Sequence, residues 1–169
     1  MSYRIRSALL AAALIGTPVI ARADVSEAER DFINKAAMSG HEEVSTGQTA
    51  AESKNTAVAA FGRQMVTDHT KMNDELATIA KSKGVEPPDS ASLMQQAEAA
   101  AVSILPGSTF DKTYVSQQLA GHKEALGLLQ NEASTGTDPQ LKAFAQKYIP
   151  VVEQHIAELE KLQQMPELQ

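Results

Sequence analysis

Three histidines and one glutamate stand out because each falls on the apolar stripe of a different predicted helix. His69 follows Phe61 and Met65 and precedes Met72, at steps of four, four and three residues. Glu43 follows Phe32, Ala36 and Gly40; His122 follows Tyr114 and Gln118; His155 follows Tyr148 and Val151. Buried without partners, such groups would cost several kcal/mol together. Two chemistries would satisfy them. In one, Glu43 accepts hydrogen bonds from one or two histidines in a closed network that fixes helix register. In the other, three imidazoles and one or two carboxylates bind a single transition-metal ion, zinc, copper or iron. Ligand nitrogens converging within about 4–5 Å of a common point favour the metal, since zinc–nitrogen bonds are near 2 Å. Imidazoles aimed at separate partners favour the network.

The metal set predicted in this way is Glu43, His69, His122 and His155. Asp68, Asp111 and Tyr114 are supporting or alternate members. Asp68 either orients a histidine from behind or marks the edge of the solvent face. Asp111 is first of all a helix cap. Tyr114 packs its ring and sends its hydroxyl toward the polar layer. Met65 and Met72 suit copper(I) if they turn to the ion, and otherwise fill the core. His41 is expected at the surface, and Glu42 points about 100° away from Glu43, toward solvent. A ferritin-type di-iron centre needs Glu-x-x-His on two helices. Here Val66, Leu119 and Val152 stand three residues before the histidines. No G-x-S-x-G, phosphate loop, dinucleotide fingerprint or H-E-x-x-H is present, and no catalytic set is assigned.

The elements that carry these residues are all helical. Ser26 and Glu29 fit a capping box that opens the first helix. Ser53-Lys54-Asn55 is a turn, and the second helix runs from Thr56 to Lys83, closed by Gly84 and Pro87-Pro88. Residues 90–107 form a long connector with a short Ala-rich helix from Leu93 to Leu105. Ser108 to Asp111 predicts a second capping box at the start of the third helix. Asp138 caps the fourth, with Pro139 in its first turn, and Pro150 predicts a kink one turn before His155. This pattern predicts a ferritin-like four-helix bundle with a crossover between the second and third helices. Counted from the two short turns, Glu43 and His69 lie roughly 16 and 22 Å along their helices, and His122 and His155 roughly 21 and 28 Å. All four therefore fall near mid-length.

Composition agrees with helices. The 169-residue chain has no Cys and no Trp, and aromatics make up 4%. Its core must come from Ala, Leu, Val, Ile and Met. Residues 1–23 carry Arg4 and Arg6, an apolar run from Ala8 to Ile15, and Ala21-Arg22-Ala23, the pattern of a cleavable signal peptide. The domain then spans 24–169, in the periplasm. Removing Arg4, Arg6 and Arg22 leaves 12 basic against 21 acidic residues, a net charge of −9. Such a surface repels nucleic acid and anionic lipid, and no transmembrane run follows the signal segment.

Several elements taken together, Gly40-x-x-Glu43-Val44, Met65-Val66-x-Asp68-His69, Phe110-Asp111-x-x-Tyr114, His122, and Pro150 with His155, resemble a bacterial family of exported proteins. It is catalogued as domain of unknown function 4142 and often labelled as outer membrane proteins. The resemblance implies a ferritin-like bundle and no settled activity. No strand alternation of a barrel is present, so a soluble periplasmic protein is expected. Three functions follow from the residues: a metal-binding protein for storage, buffering or stress protection; an envelope protein with a purely structural polar layer and a protein partner; and a metal-dependent oxidoreductase.

Overall fold

The computed structural model describes residues 25–168, and the expected signal segment lies outside them. These residues form α1 (Glu27–Ala50), α2 (Thr56–Ser82), α3 (Leu93–Ser103), α4 (Gly107–Thr135), α5 (Pro139–Gln163) and a closing 3-10 turn, Pro166–Leu168. No strand occurs among the described residues, which are all-α.

Local chemistry sets most boundaries. Ser26 and Glu29 exchange bonds in a capping box, and Asn55 caps α2 by accepting from the Ala57 and Val58 N–H groups. Asp138 caps α5 in the same way, ahead of Pro139. Gly84 leaves α2 with a φ of 76°, a left-handed conformation that a side chain would disfavour. The box expected at Ser108 and Asp111 does not form. The Pro106 carbonyl accepts from Thr109 and Phe110 instead, at 3.0 and 3.4 Å, and no side chain caps α4. Ser108 is thereby inside the helix. α5 runs on through the exposed Pro150, where the carbonyl that loses its partner is on the wet side of the helix.

Three polar links fix the topology. Asp111, near the start of α4, accepts the Ser53 hydroxyl from the α1–α2 turn at 2.6 Å. Glu29, near the start of α1, accepts the Thr137 hydroxyl at 2.8 Å and the Thr137 N–H at 3.0 Å from the α4–α5 turn. Lys83, at the end of α2, pairs with Asp138 in that same turn. The α1–α2 turn and the start of α4 therefore share one end, and the α4–α5 turn shares the other with the start of α1. The segment containing α3 must cross the full length between them. α1 packs on α2 and α4, and α5 packs on α4 and α2, so each long helix has two antiparallel neighbours.

α1 and α2 meet closely because their facing residues are small. A Cβ on Gly47 would stand 2.9 Å from the Gly62 carbonyl oxygen, and one on Gly62 would stand 2.7 Å from the Gly47 carbonyl oxygen. Two apolar clusters fill the interior. One gathers Phe32, Ile33, Met72, Leu76, Leu129, Phe144 and Val152; the other gathers Val58, Phe61, Met65, Tyr114, Leu119 and Leu159. On α2 the break falls between Met65 and Met72, on α4 between Leu119 and Leu129, and on α5 between Val152 and Leu159. A histidine occupies each break.

Candidate metal centre

α2 presents His69, α4 His122 and α5 His155 to one point between the clusters. The stripes that bury Met65, Leu119 and Leu159 bury the imidazoles for the same reason, one helical turn away along each helix. His69 is 5% exposed, and His122 and His155 are 1% exposed. The three ring centroids are 5.3–5.6 Å apart. One nitrogen from each ring lies within 4.8 Å of the other two.

Hydrogen bonds decide what those nitrogens carry. His122 Nδ1 stands 2.9 Å from the Gln118 carbonyl oxygen, which can only accept, so Nδ1 holds the hydrogen and Nε2 the lone pair. His155 Nε2 stands 3.1 Å from Asp68 Oδ2, so Nε2 donates and Nδ1 holds the lone pair. The nitrogens left without partners are His69 Nε2, His122 Nε2 and His155 Nδ1. Two buried lone pairs, on His122 Nε2 and His155 Nδ1, are thus left without a donor.

Electrostatics keeps the rings neutral. Burial pulls His69 well below the ordinary imidazole value, with His122 and His155 adding to the effect. Burial, then His155, lowers His122 to about 4 against the pull of the Gln118 carbonyl. Burial lowers His155 too, against the Asp68 carboxylate. Neutral imidazole is the form that coordinates a metal. Nitrogens bound tetrahedrally at 2.0–2.1 Å would stand about 3.3 Å apart, so small side-chain shifts would close the set.

The other predicted residues are arranged around this trio rather than within it. Glu43 is buried on α1, but its Oε1 lies 3.5 Å from His122 Nδ1, the nitrogen already given to Gln118. It stands behind His122, and the converging group contains only the three histidines. Burial, then Glu42, pushes the Glu43 carboxyl up to about 8 against a bond from Gln118. Asp68 is the orienting partner of His155. Asp111 neither caps its helix nor reaches the layer: it is bonded to Ser53, eleven residues or about 16 Å along α4 from His122. Tyr114 stacks on Phe110 at 5.8 Å and meets Phe61 edge-on at 6.4 Å, with its hydroxyl unpartnered. Met65 and Met72 belong to the apolar clusters on either side. His41 is half-buried.

Three contributors were not assigned a role from the sequence. The Gln118 carbonyl fixes the His122 tautomer; its place four residues before the histidine was the available signal. Phe61 walls the trio, its ring 6.2 Å from His155 and 6.5 Å from His122. Glu42 does not point freely to solvent but is half-buried and accepts from Gln95 of α3 at 2.6 Å.

No functionally curated protein matches the sequence. Among solved structures, a DUF305 fragment from Deinococcus radiodurans is similar in fold, with a TM-score of 0.73 over 83% of this chain and 99% of that one. At 14% identity the likeness concerns the fold alone. No described helix is long and apolar enough to cross a membrane. Residues 16–162 match the family described as domain of unknown function DUF4142, and the motifs around Asp68, Asp111 and His155 lie within that span; the chain belongs to the DUF4142 family.

Proposed function

We propose that this is an exported, ferritin-like four-helix bundle that binds one transition-metal ion through His69, His122 and His155, serving metal storage or buffering in the periplasm. One observation carries the reading: one nitrogen from each of three buried imidazoles lies within 4.8 Å of the other two, and each ring keeps a nitrogen without a hydrogen-bond partner. A purely structural network needs bonds within the layer, and these three nitrogens make none. Nitrogen ligands without thiolate or carboxylate suit zinc, copper or iron. Three protein ligands leave a coordination position open, as catalytic sites do. That leaves an oxidoreductase as the second reading, and oxygen or peroxide consumption by the loaded protein would distinguish it.

Protein purified without a histidine tag, stripped and reloaded, should bind one equivalent of zinc, copper or iron. Elemental analysis after gel filtration would report it, and His122→Ala should reduce the equivalent to background. Absence of stoichiometric metal under every loading condition would overturn the proposal.

A further inference from the structure

A second feature lies on the far side of His122. A cavity of about 630 Å³ opens between α1, α3 and α4. None of the three converging histidines lines it. Met38, Val102, Phe110 and Leu128 supply apolar surface, while Glu43, Gln118 and Tyr114 supply polar groups. Each of the last three is at least nine-tenths buried, at 4%, 5% and 2% exposure. Each also carries a buried side-chain atom without a hydrogen-bond partner: Glu43 Oε2, Gln118 Oε1 and the Tyr114 hydroxyl. Each such atom destabilises the fold unless something completes it.

The roles of these atoms define what is missing. The Gln118 amide nitrogen donates to Thr46 Oγ1 at 3.3 Å, so Oε1 is an acceptor whatever the state of its neighbours. Glu43 offers a carboxyl oxygen beside it. Glu42 and Glu124 also line the cavity, and Lys35, the one basic residue among its described lining, is paired with Asp31 at 2.7 Å. Accepting oxygens on Gln118 and Glu43, a Tyr114 hydroxyl that can accept or donate, acids around them and apolar walls between call for a ligand that donates hydrogen bonds from a cationic head and buries an apolar body. A volume of this size fits a small organic molecule.

We infer that the α1–α3–α4 cavity is a binding site for a small amphipathic amine, with Glu43 and Gln118 receiving the ammonium group and the apolar walls holding its body. The site rests on the α1 and α4 walls and does not depend on metal in the histidine trio. Its failure would leave the metal proposal untouched, and the reverse also holds.

Tryptamine, tryptophol and indole-3-acetate test the inference as one shape with three heads. The chain has no Trp, so indole fluorescence anisotropy reads the probe directly. Tryptamine should saturate one site and bind at least about tenfold more tightly than tryptophol, the effect of one charge-assisted hydrogen bond. Indole-3-acetate should bind more weakly than either. Two filling variants check the location. A Cβ on Gly121 stands 3.8 Å from Glu43 Oε1, in ordinary contact, so Gly121→Leu projects into the cavity. Ala99→Phe fills it from α3, outside the main helix contacts. Either should abolish tryptamine binding while helicity and metal content stay unchanged, and the α3 variant decides the matter if the other misfolds. Equal binding of the three probes, preference for the acid, no binding by any, or binding unaffected by Ala99→Phe would each overturn the inference.

Discussion

Asp68 and His155 form the contact on which the geometry of the trio most depends at the level of single residues. A carboxylate behind an imidazole fixes its tautomer and raises its basicity toward a metal. Asp68→Asn keeps the shape and removes the charge. It should weaken metal affinity about 10–100-fold in chelator competition, with little change in thermal stability. An unchanged affinity would mean that His155 does not coordinate through Nδ1. The trio was legible in the sequence because helical rise is regular: counting from two short turns is enough to place His69, His122 and His155 at one depth. The position of Glu43 was not. Depth is set along the helix axis, but which edge of His122 a carboxylate meets depends on side-chain rotamers and on Gln118. Asp111 was misread for a related reason. Ser-x-x-Asp is a local pattern, whereas its actual partner, Ser53, is 58 residues away in sequence.

At the level of elements, the α1–α2 pair is held by surfaces too small to admit a methyl group. Ala in place of Gly normally stabilises a helix interior by about 1 kcal/mol. At position 62 the new Cβ would meet the Gly47 carbonyl oxygen and the Ala51 nitrogen, both at 2.7 Å and both backbone. Neither can swing away. Overpacking of this kind costs about 1–3 kcal/mol, so the steric effect should exceed the gain in propensity. Gly62→Ala should therefore lower the thermal midpoint, and a midpoint at or above that of the parent would show that the helices can separate freely. The caps at Ser26 and Asp138 and the turn at Ser53-Lys54-Asn55 were readable from local chemistry. The start of α4 was not, because Pro106 supplies a carbonyl to the first turn and makes a side-chain cap at Ser108 redundant.

Across the whole molecule, Glu29 ties the beginning of the first helix to the turn between the last two. Its burial opposes ionisation, but bonds from Ser26, Thr137 and Asp138 outweigh that cost and hold its pKa at about 2, down from 4.5. A depressed carboxyl pKa stabilises the fold above the unfolded value and ceases to do so as pH falls through the folded one. The stabilisation is about 3 kcal/mol at neutral pH and should drain away between pH 4.5 and 2. Glu29→Gln should lower the midpoint at pH 7 and flatten the acid limb of a stability–pH curve over that window. A parallel curve, merely displaced, would assign the acid sensitivity to other groups.

The antiparallel neighbours of every long helix bear on the trio in a further way. Helix macrodipoles act within the first and last turns, and opposed neighbours cancel at longer range. The histidine layer lies near mid-length, where the backbone offers a cation almost no compensating field. A dication seated there would depend on side chains for its counter-charge: Asp68 stands behind one ring, while burial holds the Glu43 carboxyl behind another in its protonated form at neutral pH. The charge balance of the layer is thereby set by a carboxylate that the ion never touches.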